Sequence, residues 1–343
     1  MNNRALTYIG VLALLFFMGA CKQERTSAPL PEPVYFNPER PAHFPAAHYE
    51  FGDNVFTKEG FELGKKLFHD PLLSITGTIS CASCHKQQDA FADAGIRFSK
   101  GVNGGMASRN APPIVNLAWN TSFMWDGGVN HLEVSPLGAI QHPLEMAETP
   151  AGILRKLQEN SVYRDLFKNA FHKDSIDVQQ IFWAFAQYMG NIVSANSKYD
   201  KYITGTGGFS DAEMKGLVIF RRDCSTCHSE PLTTNYSFQN NGLDNVFVDS
   251  GRFRITRNVD DIGKFKVPTL RNIELTHPYM HDGRFVTLLD VVNHYSEGVM
   301  QSPTLSTQIE KEGLKLTEEE KANLIAFLKT LTDIELVNNP LYQ

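Results

Sequence analysis

The chain carries one short cysteine motif twice, as CASCH at residues 81–85 and as CSTCH at residues 224–228. The two copies use four of the five cysteines, and the fifth, Cys21, follows an apolar run near the N-terminus. No pair is left over for a structural disulfide, so a small fold held together by disulfides is excluded. The spacing C-x-x-C-H is the attachment signature of c-type haem.

The chemistry of haem attachment explains this spacing. Two thiols on one helical turn can add to the two vinyl groups of a porphyrin, and the adjacent histidine can then ligate the iron. A redox C-x-x-C motif would not require the histidine, and a zinc site would use both cysteine pairs together. We therefore predict two covalently bound haem c groups, with iron ligands His85 and His228. The predicted attachment residues are Cys81, Cys84, Cys224 and Cys227.

The N-terminus has the layout of an export signal. Arg4 precedes a short apolar stretch, and small residues lie directly before Cys21, which predicts a signal peptide over residues 1–20. Cys21 is expected to be a lipidated N-terminus, with a plain signal peptide and a chance cysteine as the alternative. The proline-rich residues 21–48 are expected to form a tether. These features favour a protein held by a lipid anchor on the periplasmic side of a bacterial membrane.

Length and charge narrow the class of protein further. At roughly 100–200 residues per domain, 343 residues predict two domains. A net charge of −6 offers no basic surplus for binding nucleic acid. Internal similarity extends beyond the haem motifs, because three pairs of residues keep one offset of 156 residues. These pairs are Pro112 with Pro268, Asn116 with Asn272, and Trp125 with His281.

The fold class is predicted to be mainly α, with two duplicated cytochrome c-like haem domains at residues 49–205 and 206–343. Strand alternation is nearly absent, whereas helical periodicity recurs along the chain. Each haem motif follows a helical stretch with similar spacing, which contains Gly64 in one half and Gly216 in the other. The predicted helices span residues 58–67, 150–171, 178–194, 211–220, 287–295 and 317–331.

The order of the motifs resembles the bacterial family of di-haem cytochrome c peroxidases and MauG, over about residues 50–335. The motifs that carry the resemblance are both C-x-x-C-H copies and residues 109–112 (RNAP), 125–127 (WDG), 143–146 (PLEM), 268–272 (PTLRN) and 278–283 (PYMHDG). The resemblance implies that the N-terminal haem reacts with hydrogen peroxide. It also implies that the C-terminal haem holds or relays electrons.

The same resemblance assigns roles to two side chains near the first haem. Trp125 matches the tryptophan between the haems, although an ordinary core aromatic is the alternative. Glu145 matches the catalytic glutamate that moves a proton during peroxide cleavage. Glu133 and Glu148 lie nearby in the sequence and look alike without the family match, and a solvated loop glutamate is the alternative for Glu145.

The resemblance also implies that the two haems differ in their sixth ligand. Many peroxidases of the family block the first haem with a histidine, whose position falls on Val102 here, and residues 86–130 contain no histidine. Met106 in the same loop is interpreted as a packing residue. For the second haem, Tyr295 is the expected distal ligand, with Met300 and His294 as alternatives. His281 is expected to be a further residue that binds this haem.

Further expectations follow from the family match. The family's distal glutamine and proline fall on Ser135 and Ala139, so the pocket is expected to be less polar. A calcium ion is expected between the domains, on Asn110, Thr276 and Pro278. The expected partners are peroxide, a small cytochrome c or copper-protein donor, and a second copy in a homodimer. A MauG-like oxidation of a protein or organic substrate, and a non-catalytic di-haem electron carrier, are the alternative functions.

Overall fold

Helices carry the fold, in a computed structural model that describes residues 34–35 and 40–343. The longer helices are α1 (Lys58–His69), α4 (Pro150–Glu159), α5 (Ser161–Phe171), α6 (Val178–Met189), α8 (Asp211–Asp223), α10 (Leu288–Glu297) and α11 (Glu318–Lys329). The short helices are α2 (Cys81–Cys84), α3 (Leu137–Gln141), α7 (Lys198–Ile203), α9 (Phe253–Thr256) and α12 (Ile334–Asn338). Strands β1 (Phe238–Gln239) and β2 (Phe265–Lys266) form one antiparallel pair. The mainly α prediction is confirmed.

Side-chain caps fix where the helices begin, and they explain where the predicted bounds were wrong. Residues 150–171 form two helices because the side chain of Asn160 accepts hydrogen bonds from the Val162 and Tyr163 amides and starts α5. Residues 178–194 were predicted as one helix, but α6 ends at Met189. Gly190 and Asn191 form a turn after it, and the Asn116 side chain binds both backbone groups of Ser194, at 2.9 and 3.1 Å.

A close helix crossing recurs before each haem motif. Helix α1 packs against α6, and α8 packs against α11. A Cβ atom on Gly64 would lie 1.9 Å from the carbonyl oxygen of Ala184, and one on Gly216 would lie 2.0 Å from that of Asn323. Only glycine therefore permits either crossing. Each haem motif thus follows the first helix of an equivalent pair, directly after α8 in the second half and on the separate helix α2 in the first.

The backbone itself repeats at the offset predicted from the sequence. Asn116 and Asn272 both have positive φ, at 56° and 61°. Met124 and Met280 do as well, at 67° and 73°, although methionine rarely adopts this conformation. The bridge between Phe123 and Val129 also has a counterpart 156 residues later, between residues 279 and 285. Matching backbone strain in two places supports the interpretation of the chain as a duplication.

Three hydrophobic cores lie within residues 34–35 and 40–343, the smallest of them around Phe44 and Trp119. The largest core contains residues from Phe56 to Ile192, and the second contains residues from Tyr199 to Leu331. The C-terminal segment returns to the first core, where Leu336 and Tyr342 are buried. The boundary at residue 205 remains a prediction.

The expectations for residues 1–20 and Cys21 lie outside the described residues. Within the part of the chain that the structure describes, no helix combines the length and apolar character needed to cross a membrane.

Candidate haem sites

The first motif forms its own short helix, α2, which ends at His85. Ser80 precedes this helix, and its amide donates to the hydroxyl of Ser83 at 3.0 Å. Both thiols lie on the single turn, and burial raises the pKa of Cys81 to about 12. Neither Cys81 nor Cys84 is in a disulfide. Both sulfur atoms therefore remain available for attachment to a porphyrin.

His85 is oriented through one ring nitrogen. Its Nδ1 atom lies 3.0 Å from the carbonyl oxygen of Phe91 and is placed to donate to it. Burial lowers the pKa of the ring, while the Phe91 and Pro112 carbonyls act to raise it. A neutral imidazole whose Nδ1 is held by the backbone leaves Nε2 free for a metal ion.

The second motif repeats this arrangement at the end of α8. Nδ1 of His228 lies 3.1 Å from the carbonyl oxygen of Thr233, and the carbonyl of Pro268 also acts on the ring. Burial lowers the pKa of His228 to about 4, which keeps it neutral at ordinary pH. Both histidines therefore have the orientation and protonation state that an iron ligand requires.

A large cavity lies over the second motif and fits a haem group. Its empty space is about 1690 Å³, including the part that opens to solvent. Most of the wall is apolar, as a porphyrin requires. Both thiols of the second motif and His228 line this cavity, together with Phe220, Leu288, Val292, Leu324 and Leu328.

Three side chains at the cavity bear on the sixth ligand of a haem held there. Tyr295 lines the wall, and burial raises the pKa of its hydroxyl to about 12. Met280 lines the same cavity, and the side-chain amide of Asn241 lies 3.4 Å from both the Met280 sulfur and the Tyr295 hydroxyl. Met280 was not a candidate ligand from the sequence, although it lies beside His281 in a repeated motif.

The other two candidates for this ligand lie elsewhere. The side chain of Met300 is not part of the cavity wall, and the residue is 45% exposed. His294 is buried outside the wall, where its Nε2 lies 3.0 Å from the carbonyl oxygen of Asn241. The geometry therefore favours Tyr295 over Met300 and His294.

Asn110 joins the two repeat-related aromatic residues. The indole nitrogen of Trp125 donates to the Asn110 carbonyl at 2.8 Å, and the Asn110 amide donates to the His281 carbonyl at 2.8 Å. The His281 ring stacks on Phe265, with ring centres 3.7 Å apart. Trp125 and His281 both line the cavity. These contacts bring the predicted bridge residue of the first half to the wall of the second haem site.

The three predicted calcium ligands also line this cavity. Asn110 is oriented by its side-chain NH2 group, which donates to the carbonyl oxygens of Ile96 and Arg97 at 3.2 and 3.3 Å. Thr276 is buried, and Pro278 follows it two residues later. Amide and carbonyl oxygens are suitable calcium ligands.

Glu145 lies close to the first motif, where its charge acts on Cys84. Burial raises the pKa of Glu145, an effect that the neighbouring His142 partly offsets. One carboxyl oxygen lies 3.6 Å from Nδ1 of His142, and about one third of the Glu145 side chain is exposed. Such a carboxyl group can both take up and release a proton.

The structure sets Glu148 apart from Glu133 and Glu145. Glu148 forms an ion pair with Lys156 at 2.6 Å, and this contact lowers its pKa although burial acts to raise it. Burial also raises the pKa of Glu133. Glu148 is therefore committed to a structural pair.

The loop that would carry a blocking histidine is tied to Glu145. The Val102 amide donates to the Glu145 carbonyl at 2.8 Å, and the Val102 side chain is 2% exposed. A Cβ on Gly101 would lie 2.0 Å from the carbonyl oxygen of Leu144. Met106 is 49% exposed. A valine side chain cannot ligate iron, so this position gives the first haem no sixth ligand.

The other two distal positions, Ser135 and Ala139, add little polar character to the pocket expected at the first haem. The hydroxyl of Ser135 is turned to its own backbone, where it donates to the carbonyl of Leu132 at 2.8 Å. Ala139 carries no polar atom on its side chain. The lining expected there is therefore less polar than a glutamine would give.

Comparison with known proteins finds a haem-protein family for each half of the chain. Residues 58–207 match the family described as di-haem cytochrome c peroxidase, and residues 213–332 match the cytochrome c family. The methylamine utilization protein MauG of Methylorubrum extorquens is 34% identical over 285 residues, which are 81% of this chain and 79% of that protein. The cytochrome c551 peroxidase of Nitrosomonas europaea is 35% identical over 277 residues, or 79% of each chain.

A solved structure shares the whole architecture. It is the crystal structure of a MauG-like protein associated with microbial copper homeostasis, which is 34% identical, with a TM-score of 0.81. The match covers 90% of this chain and 99% of that one. The fold and the sites thus define a protein with two cytochrome c-like haem domains. The chain belongs to the di-haem cytochrome c peroxidase family, whose members are oxidoreductases with two c-type haem groups.

Proposed function

We propose that this protein is an exported peroxidase that reduces hydrogen peroxide to water with electrons from a small redox protein. The overall reaction consumes one peroxide, two electrons and two protons and releases two water molecules. In this proposal one haem is attached at Cys81 and Cys84, with His85 on the iron. The other is attached at the second motif, with His228 on the iron. When bound, the haem irons supply the site where peroxide binds and the capacity to store oxidising equivalents.

The observation that carries the proposal is the position of Glu145. Its partly buried carboxyl group lies near Cys84, and the adjoining loop offers Val102 where a blocking histidine would lie. In its ionised form Glu145 can accept a proton from the incoming peroxide. In its protonated form it can return that proton to the leaving oxygen, which departs as water.

Trp125 is proposed to pass electrons between the two haem sites. Its indole nitrogen is fixed by Asn110, and its ring lies on the wall of the second site. A small cytochrome c or copper protein is the proposed donor.

The proposed calcium ion on Asn110, Thr276 and Pro278 would stiffen this region. A lipid anchor on Cys21 would hold the protein on the periplasmic side of the membrane, and a homodimer is the proposed assembly.

A second candidate function is a MauG-like oxidation of a protein or organic substrate. The specific observation in its favour is Tyr295, which lies on the wall of the cavity over the second motif, while Met300 lies outside that wall. A phenolate ligand stabilises ferric and higher iron states, whereas a thioether raises the potential. Peroxide consumption by the holoenzyme, with and without a reduced cytochrome c, distinguishes the two functions. The peroxidase function requires rapid consumption of peroxide only when the reduced cytochrome c is present.

Replacing Glu145 with glutamine tests the proton-transfer role. Glu145→Gln keeps the shape of the side chain and removes its ability to exchange a proton. General acid–base groups contribute about 10²–10⁴-fold, so we expect a loss of at least about 10²-fold in the rate of reaction with peroxide. Both haems should stay attached. Stopped-flow mixing with peroxide, together with the haem content of the variant, measures both quantities.

Glu133→Gln is the matched control, since it removes a second partly buried carboxyl group from the same region. The pH profile adds an independent readout. Because the carboxylate must accept a proton and burial raises its pKa, the wild-type rate should fall as the pH drops through that raised value. Glu145→Gln should lose this limb. Equal rates and equal pH profiles in wild type and Glu145→Gln would remove the assigned role.

A further inference from the structure

Lys266 occupies an unusual position between the predicted electron bridge and the second haem site. It lies in β2, where its amide donates to the Trp125 carbonyl at 2.8 Å. Lys266 is one of the residues that line the same cavity as His228 and Tyr295. The ammonium group donates to the carbonyl oxygen of Ser122 at 2.7 Å. Backbone and side chain of Lys266 thus both bind residues 122–125, the segment that carries Trp125.

The charge of Lys266 has no acidic partner among residues 34–35 and 40–343. Burial lowers the pKa of the ammonium group to about 8, and no nearby charge offsets this effect. An ammonium group has three hydrogens to donate, and the Ser122 carbonyl accepts one. The ring of Phe123, 6.0 Å away, adds only a weak cation–π contact. A buried cation is costly without a paired anion.

The cavity identifies the kind of anion that would complete this site. Among the residues that line it, Lys266 is the single lysine or arginine, while Asp223 and Glu310 are acidic. A haem group is an apolar macrocycle that carries two propionate carboxylates. Its ring fits the apolar wall, and its carboxylates need a cation or water. Lys266 is the one cationic side chain of the wall that can meet this need.

We propose that Lys266 forms an ion pair with a propionate of the haem in this cavity. The inference rests on the attachment of the C-terminal haem to Cys224 and Cys227, as proposed above. The pair fixes the haem beside Trp125, because the same residue binds the Trp125 carbonyl through its amide. A positive charge at the haem also stabilises the reduced iron relative to the oxidised iron. Lys266 is therefore a positioning residue that raises the reduction potential of the C-terminal haem.

The test compares two lysines of one short segment. Lys266→Met removes the buried charge, and Lys264→Met removes a charge two residues away that pairs with Asp261 at 3.4 Å. We expect Lys266→Met to lower the midpoint potential of the C-terminal haem in a spectroelectrochemical titration. Lys264→Met should leave the potential close to wild type, and Lys266→Arg should restore most of the loss. Equal shifts in Lys266→Met and Lys264→Met would overturn the proposal.

The pH dependence of the potential is a second test, made on wild type and on Lys266→Met. A paired Lys266 keeps its charge, so the potential should not change slope between pH 7 and pH 9. A change of slope near pH 8, where the unpaired ammonium group would lose its proton, would contradict the pair. Asp223, Glu310 and His281 also face the cavity, so a change of slope that persists in Lys266→Met comes from one of these groups and not from Lys266.

Haem content separates this inference from the proposal on which it rests. A pyridine haemochrome assay and the mass of the intact holoenzyme count the covalent haems. A wild-type protein without the C-terminal haem would contradict the attachment itself. Two covalent haems with equal shifts in the two methionine variants would contradict only the role of Lys266.

Discussion

At the scale of single residues, the two motif histidines share one orientation in both haem sites. His85 and His228 each direct Nδ1 to a backbone carbonyl, at 3.0 and 3.1 Å. Their role as iron ligands is predicted from the sequence by adjacency to a cysteine motif. The environment of Met280 could not be predicted in this way, because it depends on Asn241 and Tyr295, which are distant in the chain. Contacts between residues that are distant in the chain produce no regular spacing in the sequence.

Tyr295 carries a prediction about the iron spectrum. If its hydroxyl ligates the C-terminal haem, Tyr295→Phe should alter the low-spin signal of that haem in the electron paramagnetic resonance spectrum of the ferric protein. Met300→Leu is the control, because Met300 lies outside the cavity wall. Met280→Leu examines the other side chain that contacts Asn241. A signal that changes in Met300→Leu or Met280→Leu, and not in Tyr295→Phe, would contradict this ligand.

Helix pairs position the haem motifs, and their contacts are partly readable in the sequence. The starts of α1, α8 and α11 follow threonine or serine caps, so their predicted starts agree with the structure within one residue. The break at Asn160 was missed, because an apolar pattern continued across it. The short helices α3 and α7 were missed as well, since five or six residues carry too little periodicity.

The close crossings predict a large effect of one added methyl group. Gly64→Ala and Gly216→Ala would each place a Cβ about 2 Å from a backbone oxygen of the partner helix, so the helices must separate. Overpacking of this kind costs about 1–3 kcal/mol, and backbone contacts favour the upper end of that range. The free energy of unfolding in guanidinium chloride measures the effect on the holoprotein.

Gly208→Ala is the matched control for both crossings. A Cβ at Gly208 would meet no atom within 4 Å, so this variant should unfold close to the wild-type midpoint. If Gly64→Ala and Gly216→Ala were as stable as Gly208→Ala, the crossings would not limit the packing of the two halves.

Across the whole molecule, duplication explains the likeness of the halves, and a few substitutions explain their difference. The offset of 156 residues was visible in the sequence, and it recurs in the positive φ angles of Asn116 and Asn272. The return of Leu336 and Tyr342 to the first core was not predictable, because no motif marks it. The same offset relates Tyr295 to Ala139, and alanine cannot ligate iron.

The central prediction for this chain is therefore one open haem and one capped haem. The electron paramagnetic resonance spectrum of the ferric holoprotein, with two covalent haems established by mass, tests this claim most directly. We predict one high-spin signal, from the haem beside Glu145, and one low-spin signal of equal concentration, from the haem capped by Tyr295. Two low-spin signals that remain six-coordinate after reduction would contradict it, because no iron would then be open to peroxide.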